Sequence, residues 1–199
     1  MKKILLIGAM ILSLTGLVGY AGAATIGFEE FSSGTIVSGP GVFDDVVFTT
    51  GPNDVIKVSS SVPGPDLTGE KTAQSVPFTH DSPFRADFLI PGVYSVSVAM
   101  GDFNADTDNL FLRAYSVTGT LLDEVLFELL SNIYGGPTLS VSGSNIAYVL
   151  FGSTGDNPNS VYFDNFTYEA TTAVPEPLSV LLFGLGLIGL AGVGRKLKK

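Results

Sequence analysis

The sequence predicts an all-β domain, a β-sandwich of the jelly-roll type, flanked by an N-terminal signal peptide and a C-terminal transmembrane helix. Between residues 24 and 173, apolar and polar residues alternate in short runs, as they do in half-buried strands. Clusters of Gly, Pro, Asn and Asp separate the runs, and these residues are typical of turns. About ten strands in one exported domain of 150 residues favour a sandwich.

The predicted strands follow one another between recognisable turns. A first strand begins the body, and Gly51-Pro52-Asn53-Asp54 forms the turn between the second and third. The fourth ends at Pro91-Gly92, and the fifth, at 94–100, has the clearest alternation of apolar and small side chains. The first five predicted strands are residues 25–28, 46–49, 55–59, 84–90 and 94–100.

The second half of the body continues the pattern. Val117-Thr118-Gly119 separates two runs as the turn of a hairpin. Residues 121–130 also contain helix-favouring Leu, Glu and Asp, but the hairpin context favours a strand. The four remaining predicted strands are residues 110–115, 120–129, 146–151 and 161–168.

The charge and the cysteine content limit the classes of function and the means of stabilisation that are open to the protein. Residues 24–173 contain four basic residues against 18 acids, a net charge of −14, which excludes nucleic-acid binding. An acidic surface suits divalent cations and repels anionic lipid. The chain has no cysteine, so an exported domain must be stabilised by packing, with or without metal ions.

Both ends of the chain carry targeting signals. Residues 2–3 are basic, residues 4–18 are apolar, and Ala21-Gly22-Ala23 is a small-x-small cleavage site, which predicts a signal peptide at 1–23. Residues 178–194 are uncharged and would span roughly 25 Å as a helix, just under a bilayer core. The basic residues at 195–199 predict a cytoplasmic end. A buried C-terminal helix is the alternative, but four positive charges do not suit a core.

The last 26 residues resemble a known sorting signal. Pro175, Glu176 and Pro177 precede the apolar segment and the basic end, as in the PEP-CTERM signal of Gram-negative bacteria that make exopolysaccharide. The resemblance implies that residues 174–199 are processed by an exosortase-type membrane protease. It also implies an inner-membrane tether facing the periplasm, followed by a place at the cell surface or in the extracellular matrix, in association with exopolysaccharide.

The body resembles other proteins in three short stretches. Residues 101–108, with 112–115 and Gly119, resemble the central segment of many PEP-CTERM ectodomains. Residues 26–30 and 161–166 resemble the first and last strands of jelly-roll carbohydrate-binding modules. In those modules, an acid on each of these strands often shares a structural calcium ion. The resemblance therefore implies that Ca²⁺ is bound by Glu29 or Glu30 together with Asp164.

The surroundings of Asp164 agree with a metal role. By the period of two, its carboxylate shares a strand face with Tyr162, Phe166 and Tyr168. A carboxylate among aromatic rings is costly to bury unless it is paired, and the body has few cations. A calcium ion would meet this need with oxygen ligands from several segments. The alternative is that this face is solvated and Asp164 is an ordinary surface acid.

A second acidic stretch has oxygen-bearing side chains at alternate positions: Asp102, Asn104, Asp106 and Asp108. It resembles the opening of an EF-hand loop. However, Thr107 replaces the glycine that the turn requires, and Arg113 stands where the bidentate Glu belongs. A weaker calcium site and an Asp-rich turn that caps a strand remain as interpretations.

No catalytic constellation is evident. His80 is the sole histidine, and no Gly-x-Ser-x-Gly elbow supplies a nucleophile for it. The sequence has no Trp for sugar stacking, and Tyr134 is the one tyrosine in a loop-like context. The leading hypothesis is a non-enzymatic envelope or matrix protein. A carbohydrate-binding module for the cell's own polysaccharide is the main alternative, and a polysaccharide hydrolase is the third.

Overall fold

The computed structural model describes residues 21–60, 71–77, 82–102, 107–130, 136–155 and 157–171. Residues 21–171 form one compact unit. The described residues contain eleven strands: β1 (Ala21–Ile26), β2 (Val46–Thr49), β3 (Val55–Ser59), β4 (Thr72–Val76), β5 (Phe84–Phe88), β6 (Val93–Asp102), β7 (Asp108–Tyr115), β8 (Leu121–Leu129), β9 (Thr138–Ser142), β10 (Tyr148–Thr154) and β11 (Val161–Thr171).

The strands form two antiparallel sheets. The first sheet has the order β3-β4-β11-β6-β9, with β1 also paired to β11, and the second has the order β2-β5-β10-β7-β8. Four pairs are nested along the chain: β7 with β8, β6 with β9, β5 with β10, and β4 with β11. Nested pairs that alternate between two sheets are the topology of a jelly roll, so the predicted fold class is confirmed.

The predicted strands are present with shifted bounds, and two strands were not predicted. The helix alternative for 121–130 is wrong, because β8 pairs with β7 along its length. The missed strands β4 and β9 have the sequences TAQSV and TLSVS, which are too short and polar to stand out. The first strand ends at Ile26, and Phe28, two residues later, is fully buried in the core.

An aromatic cluster fills the space between the sheets. The ring of Phe163 lies at its centre, with centroid distances of 4.9 to 5.6 Å to Phe28, Phe48, Phe84 and Phe151. All five side chains are fully buried. Edge-to-face and tilted pairs of this kind add about 0.5–1.5 kcal/mol each beyond the burial of area. The cluster thus provides the packing on which a domain without disulfides depends.

The last strand contains a β-bulge that decides which way its side chains point. The register of β11 against β6 shifts just after Asp164, and Asn165 has a left-handed φ of 48°. Both Phe163 and Phe166 therefore enter the core, while Asp164 lies on the opposite side of the strand from Phe163. The sequence predicts that Tyr162, Asp164, Phe166 and Tyr168 share one face of this strand. That prediction is wrong, because the bulge interrupts the regular alternation of side chains between the two faces.

Candidate functional sites

Asp164 lies where two strands meet the same edge of β11. On that edge β4 pairs through Ala73 with Phe163, and β1 pairs through Ile26 with Phe166. Asp164 and Asn165, the two residues between these pairs, therefore lie at the gap between the end of β1 and the start of β4. The side chain is buried, with 3% of its surface exposed. The β-bulge thus aims a carboxylate into an interior junction.

Burial and a nearby charge perturb this carboxyl group. Burial is the largest cause and raises the pKa of Asp164 to about 6, while the backbone N–H of Asn165 opposes the rise by donating to the carboxylate. The negative charge of Glu29 raises the pKa further. Glu29 and Asp164, predicted from the sequence as one site, are therefore close enough to repel each other.

Glu29 is held in place by Lys71, the residue before β4. The Lys71 N–H donates to Glu29 Oε1 at 3.0 Å, and Lys71 Nζ donates to the Glu29 carbonyl oxygen at 2.6 Å. These two bonds fix the segment after β1 against the start of β4. Glu29 and Glu30 are both exposed, and the acid whose charge reaches Asp164 is Glu29.

Uncharged oxygen atoms adjoin the carboxylate. One step beyond the Ala73–Phe163 pair, the antiparallel register sets Thr72 opposite Asp164. The Thr72 hydroxyl is fully buried and has no hydrogen-bond partner within the described ranges. The buried Oε1 of Gln74, two residues along the same strand face, is also without a partner there. The junction therefore combines a buried carboxylate with unsatisfied oxygen acceptors.

This set of oxygens fits a hard cation. Calcium takes carboxylate and neutral oxygen ligands from several chain segments, and the junction offers them from β4, β11 and the segment after β1. Within the part of the chain that the structure describes, no three acidic or histidine side chains group closely enough to hold a metal by themselves. The candidate ligands are therefore Glu29 and Asp164, with Thr72 as a neutral oxygen.

The second predicted metal loop is described only at its ends. Asp102 ends β6 opposite Val161, and Asp108 begins β7 with a fully buried side chain. A Cβ added at Gly155 would lie 3.6 Å from Asp108 Oδ1, so the loop after β10 passes close to this carboxylate. Asn104 and Asp106 lie outside the described residues, and a metal role for this loop stays a prediction.

Several other predicted features also lie outside the described ranges. They are His80, Tyr134, most of the signal peptide and the whole of residues 174–199. The cleavage residues 21–23 are described, and they lie within β1.

A different surface carries a dense set of polar and aromatic side chains. On the second sheet, Arg85 and Asp87 of β5, Tyr148 of β10 and Tyr115 of β7 alternate with core residues and so lie on the outward face. Arg113 of β7 and Glu124 of β8 continue the same face. We name these six residues the Arg–Tyr face.

Three side chains of the Arg–Tyr face form a continuous stack across the sheet. Tyr115 and Tyr148 are register partners, and their rings stack with centroids 4.9 Å apart and an interplanar angle of 8°. The Arg85 guanidinium lies 3.7 Å from the Tyr148 ring centroid. Both faces of the Tyr148 ring are therefore covered, one by the Tyr115 ring and the other by the Arg85 guanidinium.

Ion pairs hold the arginines of this face in fixed orientations. Arg85 donates to Asp87 through Nε at 2.7 Å and through Nη2 at 2.5 Å, and this pairing is the main cause that raises the pKa of Arg85. Arg113 donates from Nε to Glu124 Oε1 at 2.5 Å. Each of these charged side chains remains about one-third exposed. The face is thus pre-ordered yet open to a ligand.

The sequence reasoning missed the Arg–Tyr face. It singled out only Tyr134 among the tyrosines, because the pairing of Tyr115 with Tyr148 depends on a register between β7 and β10 that the sequence does not state. A usable signal was present: Arg85 and Arg113 are two of only four basic residues in 24–173, and both stand at outward positions of predicted strands.

Comparison with known proteins identifies the C-terminal signal. A family described as "PEP-CTERM protein-sorting motif" matches residues 173–196, which confirms the predicted resemblance there. The chain therefore carries a sorting motif that implies export and membrane-anchored sorting. Among curated proteins, none matches the sequence. In the described part of the chain, no helix has the length and apolar character needed to cross a membrane.

Solved structures offer distant likenesses to the body. The CBM22-1 xylan-binding domain of a Paenibacillus barcinonensis protein is 13% identical, with 79% of this chain and 99% of that chain covered and a TM-score of 0.48. A Clostridium thermocellum xylanase with a CBM22-1 module is 11% identical, with 76% and 28% covered and a TM-score of 0.47. A DUF4465 family protein from Bacteroides caccae is 12% identical, with 74% and 98% covered and a TM-score of 0.42.

Proposed function

We propose that the body is a non-catalytic polysaccharide-binding domain and that the Arg–Tyr face is its binding surface. The observation that carries the proposal is the stack of Arg85, Tyr148 and Tyr115 across three neighbouring strands, flanked by two ion pairs. Such an ordered array on the solvent side of a sheet contributes little to the core, so a ligand is the better reason for it.

The chemistry of the Arg–Tyr face suits a chain of sugars. Guanidinium N–H groups donate hydrogen bonds, carboxylate oxygens accept them, and tyrosine hydroxyls do both, which matches the hydroxyl groups of a polysaccharide. Bonds to charged groups are stronger than neutral ones. Because the ion pairs already fix the side chains, little conformational freedom is lost when a ligand binds.

The same ion pairs argue against hydrolysis at this face. Glycoside hydrolysis uses one carboxyl group in its protonated form and a second as base or nucleophile. Asp87 and Glu124 are the acids of the face, and each carboxylate is bonded to an arginine, so neither is free to act on a glycosidic bond. The face is therefore better suited to binding a polysaccharide than to cleaving it.

Affinity electrophoresis through gels that contain neutral or acidic polysaccharides tests the proposal. Tyr115→Ala removes one aromatic ring and one hydroxyl group from the stack. The polysaccharide in the gel should therefore no longer retard the migration of this variant. The matched control is Tyr94→Ala, which removes the same side chain from β6 in the first sheet. Equal retardation of wild type and Tyr115→Ala on every retarding polysaccharide would remove the Arg–Tyr face from consideration.

A second candidate function is a structural role in the matrix through self-association. The observation that favours it is β8, an edge strand of the second sheet with large exposed apolar side chains. Long apolar edge strands are sites of strand pairing between chains. The exposed apolar residues of β8 and its end are Leu121, Leu126, Phe127 and Leu130.

The sorting motif supports a route for the protein. We propose that the signal peptide is removed during export and that the C-terminal helix at 178–194 tethers the body to the inner membrane, facing the periplasm. An exosortase-type membrane protease then processes the tail, and the body reaches the cell surface or the exopolysaccharide matrix. The net charge of −14 over residues 24–173 supports a body that stays off anionic lipid.

We also propose a structural calcium ion at Asp164. Its support is the junction itself: a buried carboxylate, the adjacent charge of Glu29 and a Thr72 hydroxyl that has no partner among the described residues. Bound there, a divalent cation would neutralise the repulsion between the two acids and tie together β4, β11 and the segment after β1. The ion would stabilise the fold and take no part in binding sugars.

A further inference from the structure

We infer that two copies of this chain pair through their β8 strands, antiparallel and about a two-fold axis at Phe127, and that the pairing joins their Arg–Tyr faces into one surface. The pairing rests on self-association, the second candidate function, and the joined surface also rests on polysaccharide binding. Both depend on β8, which is the last strand of its sheet.

The segment 34–39 covers the sheet edges at the other side of the sandwich. At the edge of β3, the Val37 N–H donates to the Ile56 carbonyl at 2.9 Å. At the edge of β2, the Gly39 N–H donates to the Phe48 carbonyl at 2.8 Å. Neither of these two edges is therefore free to pair with another chain.

Asp123 caps the two remaining edges, but on β8 it caps only the first part. Its Oδ2 accepts from the Ser142 N–H of β9 at 2.8 Å, and its Oδ1 accepts from the Glu124 N–H at 2.9 Å. Within the described part of the chain, no hydrogen bond from outside the β7–β8 ladder reaches the backbone of residues 125–130. We name residues 125–130 the open edge.

Large apolar side chains are exposed along the open edge. Leu126 lies two residues after Glu124, on the outward side of the sheet, and is 63% exposed. Phe127 pairs with the core residue Leu110 and so lies on the inner side, yet 42% of it is exposed. Leu130 is 56% exposed. A strand added at the open edge would cover apolar surface on both sides of the sheet.

Backbone groups of the open edge point away from β7. The Tyr115 carbonyl accepts from the Ala147 N–H at 2.8 Å and therefore faces the β10 side of β7. By alternation, Leu110 turns its backbone groups to β8, where its partner is Phe127. The residues on either side of Phe127 consequently turn their N–H and C=O groups to the open edge, where a further strand can bond to them.

Charge and the Asp123 cap disfavour most registers for a second copy. About a two-fold axis perpendicular to the sheet, residues on the same side of the sheet oppose each other, so the axis passes through a residue. Axes at Glu124, Leu126 or Glu128 place two glutamates opposite each other, which is destabilising. An axis at Val125 requires the Glu124 N–H that Asp123 already holds.

An axis at Phe127 meets neither obstacle. Leu126 of each copy then lies opposite Glu128 of the other, and each of these two pairs exchanges both of its N–H···O bonds. The two Phe127 residues form a pair without mutual backbone bonds, with Cα atoms about 4.5 Å apart, so that each ring covers the other. The pairing ends at the capped Glu124. Charge and hydrogen bonding thus identify a second copy of this chain as the occupant of the open edge.

The same axis places the two Arg–Tyr faces on one side. Because the axis is perpendicular to the sheet, the outward side of each copy stays outward, in one sheet of ten strands with five from each copy. The β7 strands, which carry Arg113 and Tyr115, lie three strand spacings of about 4.8 Å apart. A long polysaccharide bound to one face can therefore reach the other, and the second contact is intramolecular.

Cysteine crosslinking of full-length chains tests the pairing in cells that export them. The wild-type chain has no cysteine, so each variant carries one. Phe127→Cys sets two Cα atoms about 4.5 Å apart across the axis, within the range of a disulfide. Val125→Cys is the matched control on the same side of the strand. In this register its two copies are four positions apart, roughly 13 Å along the strand, beyond disulfide range.

Non-reducing electrophoresis after mild oxidation should show a linked dimer for Phe127→Cys and a monomer for Val125→Cys. A linked dimer of Val125→Cys, or none of Phe127→Cys, would overturn the pairing at Phe127. A wild-type chain that sediments as a monomer at every concentration would instead refute self-association itself, so the two failures are distinguishable.

A double variant separates specific pairing from random collision. The Leu126 N–H points to the open edge, so Leu126→Pro removes a bond to the second copy and leaves the ladder with β7 intact. Added to Phe127→Cys, it should slow crosslinking at least about tenfold, because one hydrogen bond is lost from each copy. The urea midpoint should stay that of Phe127→Cys. Undiminished crosslinking at an unchanged midpoint would overturn the pairing.

The disulfide-linked dimer of Phe127→Cys tests the joined surface in the affinity gels. It should be half-retarded at a polysaccharide concentration at least about tenfold lower than the reduced double variant requires, because its second face binds intramolecularly. Equal retardation of the two would overturn the joined surface. Retardation of neither would refute polysaccharide binding, and the crosslinks would still decide the pairing.

Discussion

The substitution Asp164→Asn gives a sharp test of the junction between β1, β4 and β11. It keeps the shape of the side chain and an oxygen that can accept from the Asn165 N–H, but it removes the charge. In the folded protein, burial and Glu29 raise the pKa of Asp164 from 3.8 to about 6. The unfolded state therefore loses the Asp164 proton more readily than the folded state does.

The sign and size of the effect follow from this shift. The stabilisation that protonated Asp164 provides is fully present below pH 3.8 and is lost as the pH rises through about 6. A shift of about two pKa units corresponds to roughly 3 kcal/mol. Without calcium, Asp164→Asn should therefore be more stable than wild type at pH 7 by up to about 3 kcal/mol, or about 6–12 °C in melting temperature for a domain of this size.

Calcium should remove most of this difference. A ligand at 100 times its dissociation constant stabilises the folded state by about 2.7 kcal/mol, which offsets most of the cost of ionising Asp164 in wild type. The variant lacks the carboxylate and should gain little. Urea unfolding measures the free energy of unfolding of each protein under four conditions: pH 4 and pH 7, each with chelator and with millimolar calcium.

The exposed acid Asp44 supplies the control, because Asp44→Asn should show neither the pH effect nor the calcium effect. Two results would refute the reasoning. Parallel pH dependences for wild type and Asp164→Asn in chelator would mean that Asp164 is not destabilised by ionisation. Equal gains in calcium would place the ion elsewhere in the molecule.

Three further perturbations follow from the fold. Leu126→Lys on the exposed edge of β8 should lower self-association in sedimentation experiments without changing the free energy of unfolding by more than about 0.5 kcal/mol, and unaltered association would count against the matrix role. Gly119→Val, at a φ of +78°, should cost about 1–3 kcal/mol in urea unfolding. Gly27→Ala is its control, because Gly27 has no left-handed φ and the new Cβ would make an ordinary van der Waals contact, 3.9 Å from Asp164 Oδ1. Deleting 174–199 should shift the protein from the envelope fraction to the soluble fraction, and an unchanged distribution would exclude the tail as an anchor.

The sequence predicts the fold well where one face of a strand is buried. The alternation at 94–100 identifies β6, and the turn at 117–119 identifies the hairpin of β7 and β8. It fails at β4, whose polar Thr72 is buried only because the junction covers that face of the sheet. Burial of polar strands depends on tertiary neighbours, which no local period reports.

Some features of the candidate sites could also be predicted from the sequence, and others could not. The pairing of Glu29 with Asp164 was expected from a resemblance, and the structure brings the two charges together. The supporting argument from a shared aromatic face was wrong, because it needed an unbroken strand and Asn165 interrupts it. The stack of Tyr115 on Tyr148 arises from a pairing register, a long-range property that the sequence pattern left open.

The nested arrangement of the strand pairs also bears on the order in which they form during folding. The β7–β8 hairpin closes a short turn at 116–120, whereas Ala73 must find Phe163 across most of the body. Closing long loops is slow relative to short ones, so we expect the sandwich to assemble from its central hairpin outward. During secretion from the N-terminus, β11 is the last strand to emerge, and until it does the Phe163 position in the core stays empty. The exported chain thus stays incompletely folded almost until the sorting motif itself arrives at the membrane.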